Sequence, residues 1–414
     1  MVAPSPAPRQ VRLVLVRGDD PPLGVLPTFE VAVPWWPEMG PVVDGARERF
    51  GLDVTVLRLL EVDGPGVHGG GVTYLAEIDG DSTTDGVPLA PWTGRLVEHP
   101  RRMPWARTGG PAADLRWADD VLTAAGLARV APARQVRSWN LSSLWALPLA
   151  DETAAWLKAV PPFFAHEGAV LERLAGRPVP ALLGHAGHRV LMAELPGSDR
   201  HDATPPELDR MIDLLIELQA ESASDVPGLL ALGLPDWRGP ALSAAITALV
   251  ERRAADTDLA DLEVLRAFAA DLPTRVAAVA ACGLPDTLVH GDFHPGNVRG
   301  DADRLVLLDW GDCGVGHPLL DQAAFLGPTS AYASALHAHW HDRWREILPG
   351  SEPERAARLL APVAAARQAL IYQGFLDGIE PSEWPYHRED VPHWLQRTAA
   401  LVRDEGGNLL RCSP

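Results

Sequence analysis

The 414-residue sequence predicts an α+β chain, β-rich in its first half and helical in its second. Three observations carry this. Short alternating or apolar runs, separated by Gly and Pro, recur up to residue 194. Stripes at helical spacing dominate thereafter. Two short apolar strands, 287–289 and 304–308, interrupt those helices and bracket a polar octapeptide, His290-Gly291-Asp292-Phe293-His294-Pro295-Gly296-Asn297.

The elements follow in order. Runs 11–17, 29–33, 53–61 and 72–78 read as strands, with a helix from Val42 to Phe50 between the second and third. Residues 100–111, rich in Pro, Gly and Arg, read as a linker. A helix is predicted over 112–125, where Leu115, Ala118, Leu122 and Ala125 share a face and Gly126 follows. Strands at 134–139, 144–148 and 154–160, a helix at 163–175 and a strand from Arg189 to Glu194 complete the first half. Thr204-Pro205-Pro206-Glu207 has the form of a capping box ahead of the stripe Leu208, Met211, Leu215, Leu218. Helices are predicted over 240–254 and 258–282, and 318–405 reads as helical.

Composition narrows the function class. A formal net charge of −19 disfavours nucleic acid and anionic membrane as partners, since both need a basic face. No apolar run approaches the ~20 residues of a membrane helix, and Met1 to Asp20 lacks a signal-peptide pattern. Cys282, Cys313 and Cys412 are scattered and odd in number, which fits a reducing compartment. The expectation is a cytoplasmic protein.

Of the 36 basic residues only Lys158 is a lysine. It lies late in the strand-like run Ala155–Val160. On the following predicted helix Phe164, Glu167, Leu171 and Leu174 share one face. A carboxylate on an apolar face is costly unless paired, and Lys158 is the natural partner.

The octapeptide offers Asp292 to orient a hydroxyl and take its proton. Asn297, five residues on, and Asp309 in Leu307-Leu308-Asp309-Trp310-Gly311 offer hard oxygen ligands for magnesium. A cation for the α- and β-phosphates completes what phosphoryl transfer requires. The same order and spacing occur in eukaryotic-type kinases, with Gly291 here in place of Arg and Trp310 in place of Phe.

His-Gly-Asp-Phe-His-Pro-Gly-Asn followed by Leu-Asp-Trp resembles the aminoglycoside phosphotransferase family and its small-molecule kinase kin, over roughly 112–400. That resemblance implies a bilobal protein-kinase-like fold: a small β-rich N-lobe (110–196), then a helical C-lobe (197–414), with ATP in the cleft and Mg2+ as cofactor. It implies Asp292 as catalytic base and Asn297 and Asp309 as metal ligands. Lys158, held by Glu167, grips phosphates. Ser142 and Ser143 lie in the loop that covers the phosphates, which here lacks glycine. Ala193, Glu194 and Leu195 form the hinge whose backbone meets adenine. His317 stands where the family often has Asp, Asp321 reads as structural, and His290 is expected to orient the loop.

Residues 1–105 resemble a Nudix hydrolase domain, a small α/β unit, through strand, helix and the exit Gly51-Leu52-Asp53-Val54. Aligned on Gly51, only Glu48 matches one of the paired glutamates of that motif, so hydrolase activity is not expected. The acidic and aromatic stretch 377–394 suits either a cationic acceptor or a solvated helical hairpin. The cluster His337, His339, His341 reads as an exposed helix rather than a metal site. A nucleotide-binding pseudokinase is the alternative to a kinase. Candidate acceptors are an aminoglycoside, an amino sugar and an amino alcohol, and the sequence does not choose among them.

Overall fold

The computed structural model describes residues 7–64, 68–80, 82–195, 197–301, 304–327 and 329–411. Cys412 lies outside them. The fold is α+β, as predicted, with two five-stranded sheets early in the chain and helices through most of the rest. It divides into two compact units: Met1–Gly168 with Leu182–Glu194 and Phe375–Arg388, and Ala169–Ala181 with Leu195–Gly374 and Glu389–Pro414.

The first unit holds both five-stranded sheets. One contains β1 (Arg9–Val16), β2 (Gly24–Val25), β3 (Phe29–Val31), β4 (Val54–Asp63) and β5 (Gly70–Ile78). Its order is β2-β1-β5-β4, with β3 also on β1, and β1–β5 is a parallel pair. Helix α1 (Gly40–Phe50) buries Val42 and Ala46 against this sheet and ends at Gly51, whose φ of 65° supplies the left-handed cap. Helix α2 (Gly110–Ala124) packs Ala118 and Leu122 on the second sheet. That sheet is antiparallel, in the order β6 (Arg134–Ser138), β7 (Ser143–Pro148), β8 (Ala154–Ala159), β10 (Arg189–Met192), β9 (Leu182–Ala186). Strand β8 alternates strictly, so Ala155, Leu157 and Ala159 are buried while Lys158 points to the opposite face.

Three readings of this region need correction. Residues 100–111 are not a loose linker. Arg102, Met103 and Trp105 are buried, and the Trp105 indole donates to the Trp139 carbonyl at 3.0 Å. The helix predicted over 163–175 forms only as α3, Glu167–Arg173, because Pro161-Pro162 impose a 3-10 turn first. Residues 381–386 are not a solvated hairpin. Arg102 pairs with Glu380 at 2.9 Å, and Glu383 Oε1 accepts the Leu59 amide at 3.0 Å, both acids being buried. Pattern reading misses this because the arginine and the amide lie some 300 residues away in sequence. Burial, with Glu380 nearby, pushes the Glu383 carboxyl up to about 8.

The second unit is mainly helical. Its order is β11 (Ser198–Asp199), α4 (Pro205–Ser222), α5 (Val226–Ala231), β12 (Asp236–Trp237), α6 (Gly239–Arg252), α7 (Leu259–Ala280), β13 (Thr287–Val289), β14 (Val298–Gly300), β15 (Leu305–Leu307) and β16 (Gly314–Gly316). Then come α8 (Gln322–Leu326), α9 (Ala333–Ile347), α10 (Pro353–Gly378) and α11 (Asp390–Arg411). The capping box of α4 forms as expected, Glu207 accepting the Thr204 amide at 2.8 Å. Strands β11-β14-β15 and β12-β16-β13 make two small sheets. Helix α9 is not fully exposed: His341 is buried, which pushes its imidazole down to about 4, and His339 meets Asp213 at 3.0 Å.

Candidate active site

The octapeptide leaves β13 and is fixed at both ends. Phe293 is fully buried and stacks on Phe325, ring centroids 4.8 Å apart. Pro295–Asn297 make one 3-10 turn, and β14 follows at once. Strands β14 and β15 pair with Val298 opposite Leu307, and the Leu308 amide donates to the Asn297 carbonyl at 2.8 Å. This hairpin sets Asn297 and Asp309 on adjacent chain ends, although twelve residues separate them in sequence.

Asp292 and Asn297 meet directly. Asn297 Nδ2 donates to the Asp292 carbonyl at 2.8 Å and to its Oδ2 at 3.0 Å. With its amide nitrogen so engaged, Asn297 is left with Oδ1 as an acceptor for a cation. The Asp292 side chain remains 46% exposed. Asp309 is held at φ 61°, ψ 67°, a left-handed conformation uncommon for a residue other than glycine. Such strain persists only where the surroundings impose it, and it concentrates at functional positions.

A buried set of groups supports the loop from behind. The Asp321 carboxylate accepts the His290 amide at 3.0 Å and the Gly291 amide at 2.8 Å. Gln219 Nε2 donates to Asp321 Oδ2 at 2.9 Å. Asp321 is therefore a structural brace, and burial pushes its carboxyl up. His290 Nε2 bonds the Leu308 carbonyl at 2.8 Å and so ties the octapeptide to the Asp309 strand. Burial lowers the His290 pKa, so the ring is neutral and donates Nε2–H. Gly291 sits at φ 92°, and a Cβ there would lie 1.9 Å from the Asp312 carbonyl oxygen. That close approach explains why glycine stands between His290 and Asp292.

Sequence reasoning missed Arg367, Gln219 and His294. Arg367 is buried on α10, its guanidinium 3.6 Å above the Trp237 ring, and Nη1 lies 3.5 Å from the Gly291 carbonyl. A lone arginine within the run Val363–Ala366 and Ala369 was the available signal. His294 Nε2 lies 3.5 Å from Asp292 Oδ2.

In the first unit, Lys158 Nζ lies 2.7 Å from Glu167 Oε1. Their side chains are 11% and 2% exposed. The lysine is thus fixed on β8 by the first residue of α3. Ser142 closes a tight turn and Ser143 begins β7. Ser142 Oγ accepts the Trp139 indole at 3.1 Å, and Ser143 Oγ accepts the Trp145 indole at 3.0 Å. Ala193 and Glu194 follow β10, with the Glu194 carboxylate accepting the Ala154 amide. Leu195 is the first residue past the division between the units.

A sequence model of the phosphotransferase enzyme family matches residues 149–357. The match spans half of the chain, and the protein belongs to that family. No curated protein matches it in sequence. Among solved structures it is similar to macrolide 2'-phosphotransferase from Brachybacterium faecium, at 19% identity and a TM-score of 0.47, covering 67% of this chain and 97% of that one. It is also similar to a choline/ethanolamine kinase family protein from Mesorhizobium loti, at 14% identity and a TM-score of 0.46, covering 66% and 93%.

Proposed function

We propose that the protein is an ATP- and magnesium-dependent kinase that phosphorylates a hydroxyl group of a small molecule. The observation that carries this reading is the Asp292–Asn297 pair, beside a hairpin that brings Asp309 to the same loop end. Asp292 aligns the acceptor hydroxyl and takes its proton as the oxygen attacks the γ-phosphorus. The bond from that phosphorus to the bridging oxygen breaks, and ADP leaves. Asn297 Oδ1 and the Asp309 carboxylate are hard oxygen donors that fit magnesium, which when bound neutralises phosphate oxygens. Lys158, anchored by Glu167, holds the α- and β-phosphates. The backbone at Ala193 to Leu195 receives adenine, and the turn at Ser142 and Ser143 covers the phosphates.

A cationic acceptor, such as an aminoglycoside, amino sugar or amino alcohol, fits the acidity around Asp292. Asp292, Asp312 and Asp390 all raise the pKa of the buried Tyr372 phenol, after burial itself and in the order Asp390, Asp292, Asp312. The protein as a whole carries −19. Residues 1–105 are proposed to be Nudix-like in shape without hydrolase activity, since Glu48 is exposed and Arg47 engages both Asp44 and Asp53. A cytoplasmic location is supported by the scattered, odd-numbered cysteines, of which Cys282 and Cys313 are buried. Among the described residues no helix is long and apolar enough to cross a membrane.

The test is a screen of amino sugars, aminoglycosides, amino alcohols and nucleosides for acceptor-dependent ADP release. Turnover with one class supports the kinase. Tight nucleotide binding with no turnover on any acceptor favours the pseudokinase instead.

A further inference from the structure

The helical unit contains a cavity of about 260 Å3, lined by none of Asp292, Asn297 or Asp309. Leu242 on α6, Leu272 and Val276 on α7 and Leu360 on α10 give it apolar walls, with the Trp237 ring and His317 completing them. An apolar cavity of about 150 Å3 stays dry and takes benzene. This one has room for a substituted ring.

Two buried nitrogens of its lining, Arg275 Nε and His317 Nε2, have no hydrogen-bond partner among the described residues, but the Arg275 charge is answered by Glu405 and by Asp271 3.8 Å away. Arg275 is held in a fork by Glu405, at 2.7 and 3.1 Å, and also donates to the Leu359 carbonyl at 3.0 Å. Asp286 at the wall is partly buried, which pushes its carboxyl up. His317 is different. Its Nδ1 accepts the Leu319 amide at 3.2 Å, so the neutral ring carries its proton on Nε2. Burial pushes the ring's pKa down to about 3 and keeps it neutral. Nε2 is buried and has no hydrogen-bond partner among the described residues. An unmet buried N–H is unfavourable, and an acceptor on a ligand would satisfy it.

We propose that this cavity binds a compact, uncharged, largely apolar molecule, one substituted ring in size, whose single oxygen acceptor receives the His317 Nε2 proton. An anion is disfavoured, because Arg275 is already neutralised and Asp286 lines the wall. The site also borders the support of the catalytic loop. Trp237 forms one wall and carries Arg367 on its ring, and Arg367 reaches the Gly291 carbonyl. An occupant therefore packs behind the segment that holds Asp292.

Binding of acetophenone, ethylbenzene and benzoate to the full-length protein, by calorimetry and protein-observed NMR, tests this without any activity measurement. Acetophenone is expected to bind, ethylbenzene about tenfold more weakly for want of an acceptor, and benzoate not measurably. Ser243→Phe, which fills the cavity from α6, is expected to abolish acetophenone binding. His317→Phe, which keeps the ring and removes the donor, is expected to make acetophenone and ethylbenzene equal. The proposal is overturned if no probe binds, if wild type does not discriminate acetophenone from ethylbenzene, if benzoate binds best, or if a folded Ser243→Phe binds as wild type does.

Discussion

Asn297 Nδ2 donates at once to the backbone carbonyl of Asp292, at 2.8 Å, and to its carboxylate, at 3.0 Å. One side chain thereby fixes both the position and the orientation of the proposed base. These two bonds hold the loop through its own residues, which suits a reaction governed by positioning.

Asp292→Asn keeps the size of the side chain and removes its basicity. Steady-state kinetics should show kcat lowered about a hundred- to ten-thousandfold, the range for loss of a general base. Nucleotide affinity, read by calorimetry, should stay within a few-fold of wild type. Retention of most activity contradicts the assigned role.

Lys158→Arg places a broad guanidinium where β8 presents a compact ammonium against Glu167. We expect kcat/KM for ATP to fall at least tenfold, with KM for ATP raised. Glu167→Gln removes the carboxylate charge from the Lys158 pair, and removal of one partner from a buried pair costs about 3 kcal/mol or more. Urea unfolding should register that loss, and unchanged stability would refute the pairing as a structural anchor.

Gly291→Ala should be disproportionately damaging for so small a change. The position is at φ 92°, and the new methyl group would meet the Asp312 carbonyl oxygen at 1.9 Å. Strain of this kind costs more than about 1 kcal/mol. The expected result is a lower thermal midpoint together with a lower kcat, because the amide that Asp321 holds must shift. Wild-type values for both would argue that the loop is not braced in this way.

Stability should depend on pH through Glu383. Its carboxyl is pushed from an ordinary value of 4.5 to about 8, first by burial and then by Glu380. The folded state therefore holds a proton that the unfolded chain releases. The contribution is complete below about pH 4.5, declines as pH rises, and is lost once pH passes about 8. Glu383→Gln cannot titrate, so the difference in thermal midpoint between variant and wild type should grow in the variant's favour from pH 5 to pH 8. A difference independent of pH contradicts this.

Much of the candidate site is legible in the sequence because it is local. Asp292 and Asn297 lie five residues apart, and Lys158 and Glu167 nine, so their spacing and their place on an apolar face can be read directly. The brace behind the loop is not local. Gln219, Asp321 and Arg367 come from three distant segments and converge only on folding. The same holds for Glu380 and Glu383, whose acidity suggested an exposed surface while Arg102 and the Leu59 amide stand ready to receive them. Strands such as Asp236–Trp237 and Gly314–Gly316 are too short for any periodicity to show. The acceptor is illegible for a chemical reason. On the proposed mechanism the octapeptide deprotonates a hydroxyl, and nothing in its residues selects which one.

The central claim is that Asp292 directs phosphate from ATP onto an alcohol. Its most direct test uses γ-labelled ATP, magnesium and the hydroxyl library, with wild type and Asp292→Asn side by side. The account predicts label in a phosphate ester of one acceptor class, with one ADP formed per ester, and loss of that product in the variant. Label released only as inorganic phosphate, or an ester formed equally by both proteins, would contradict it.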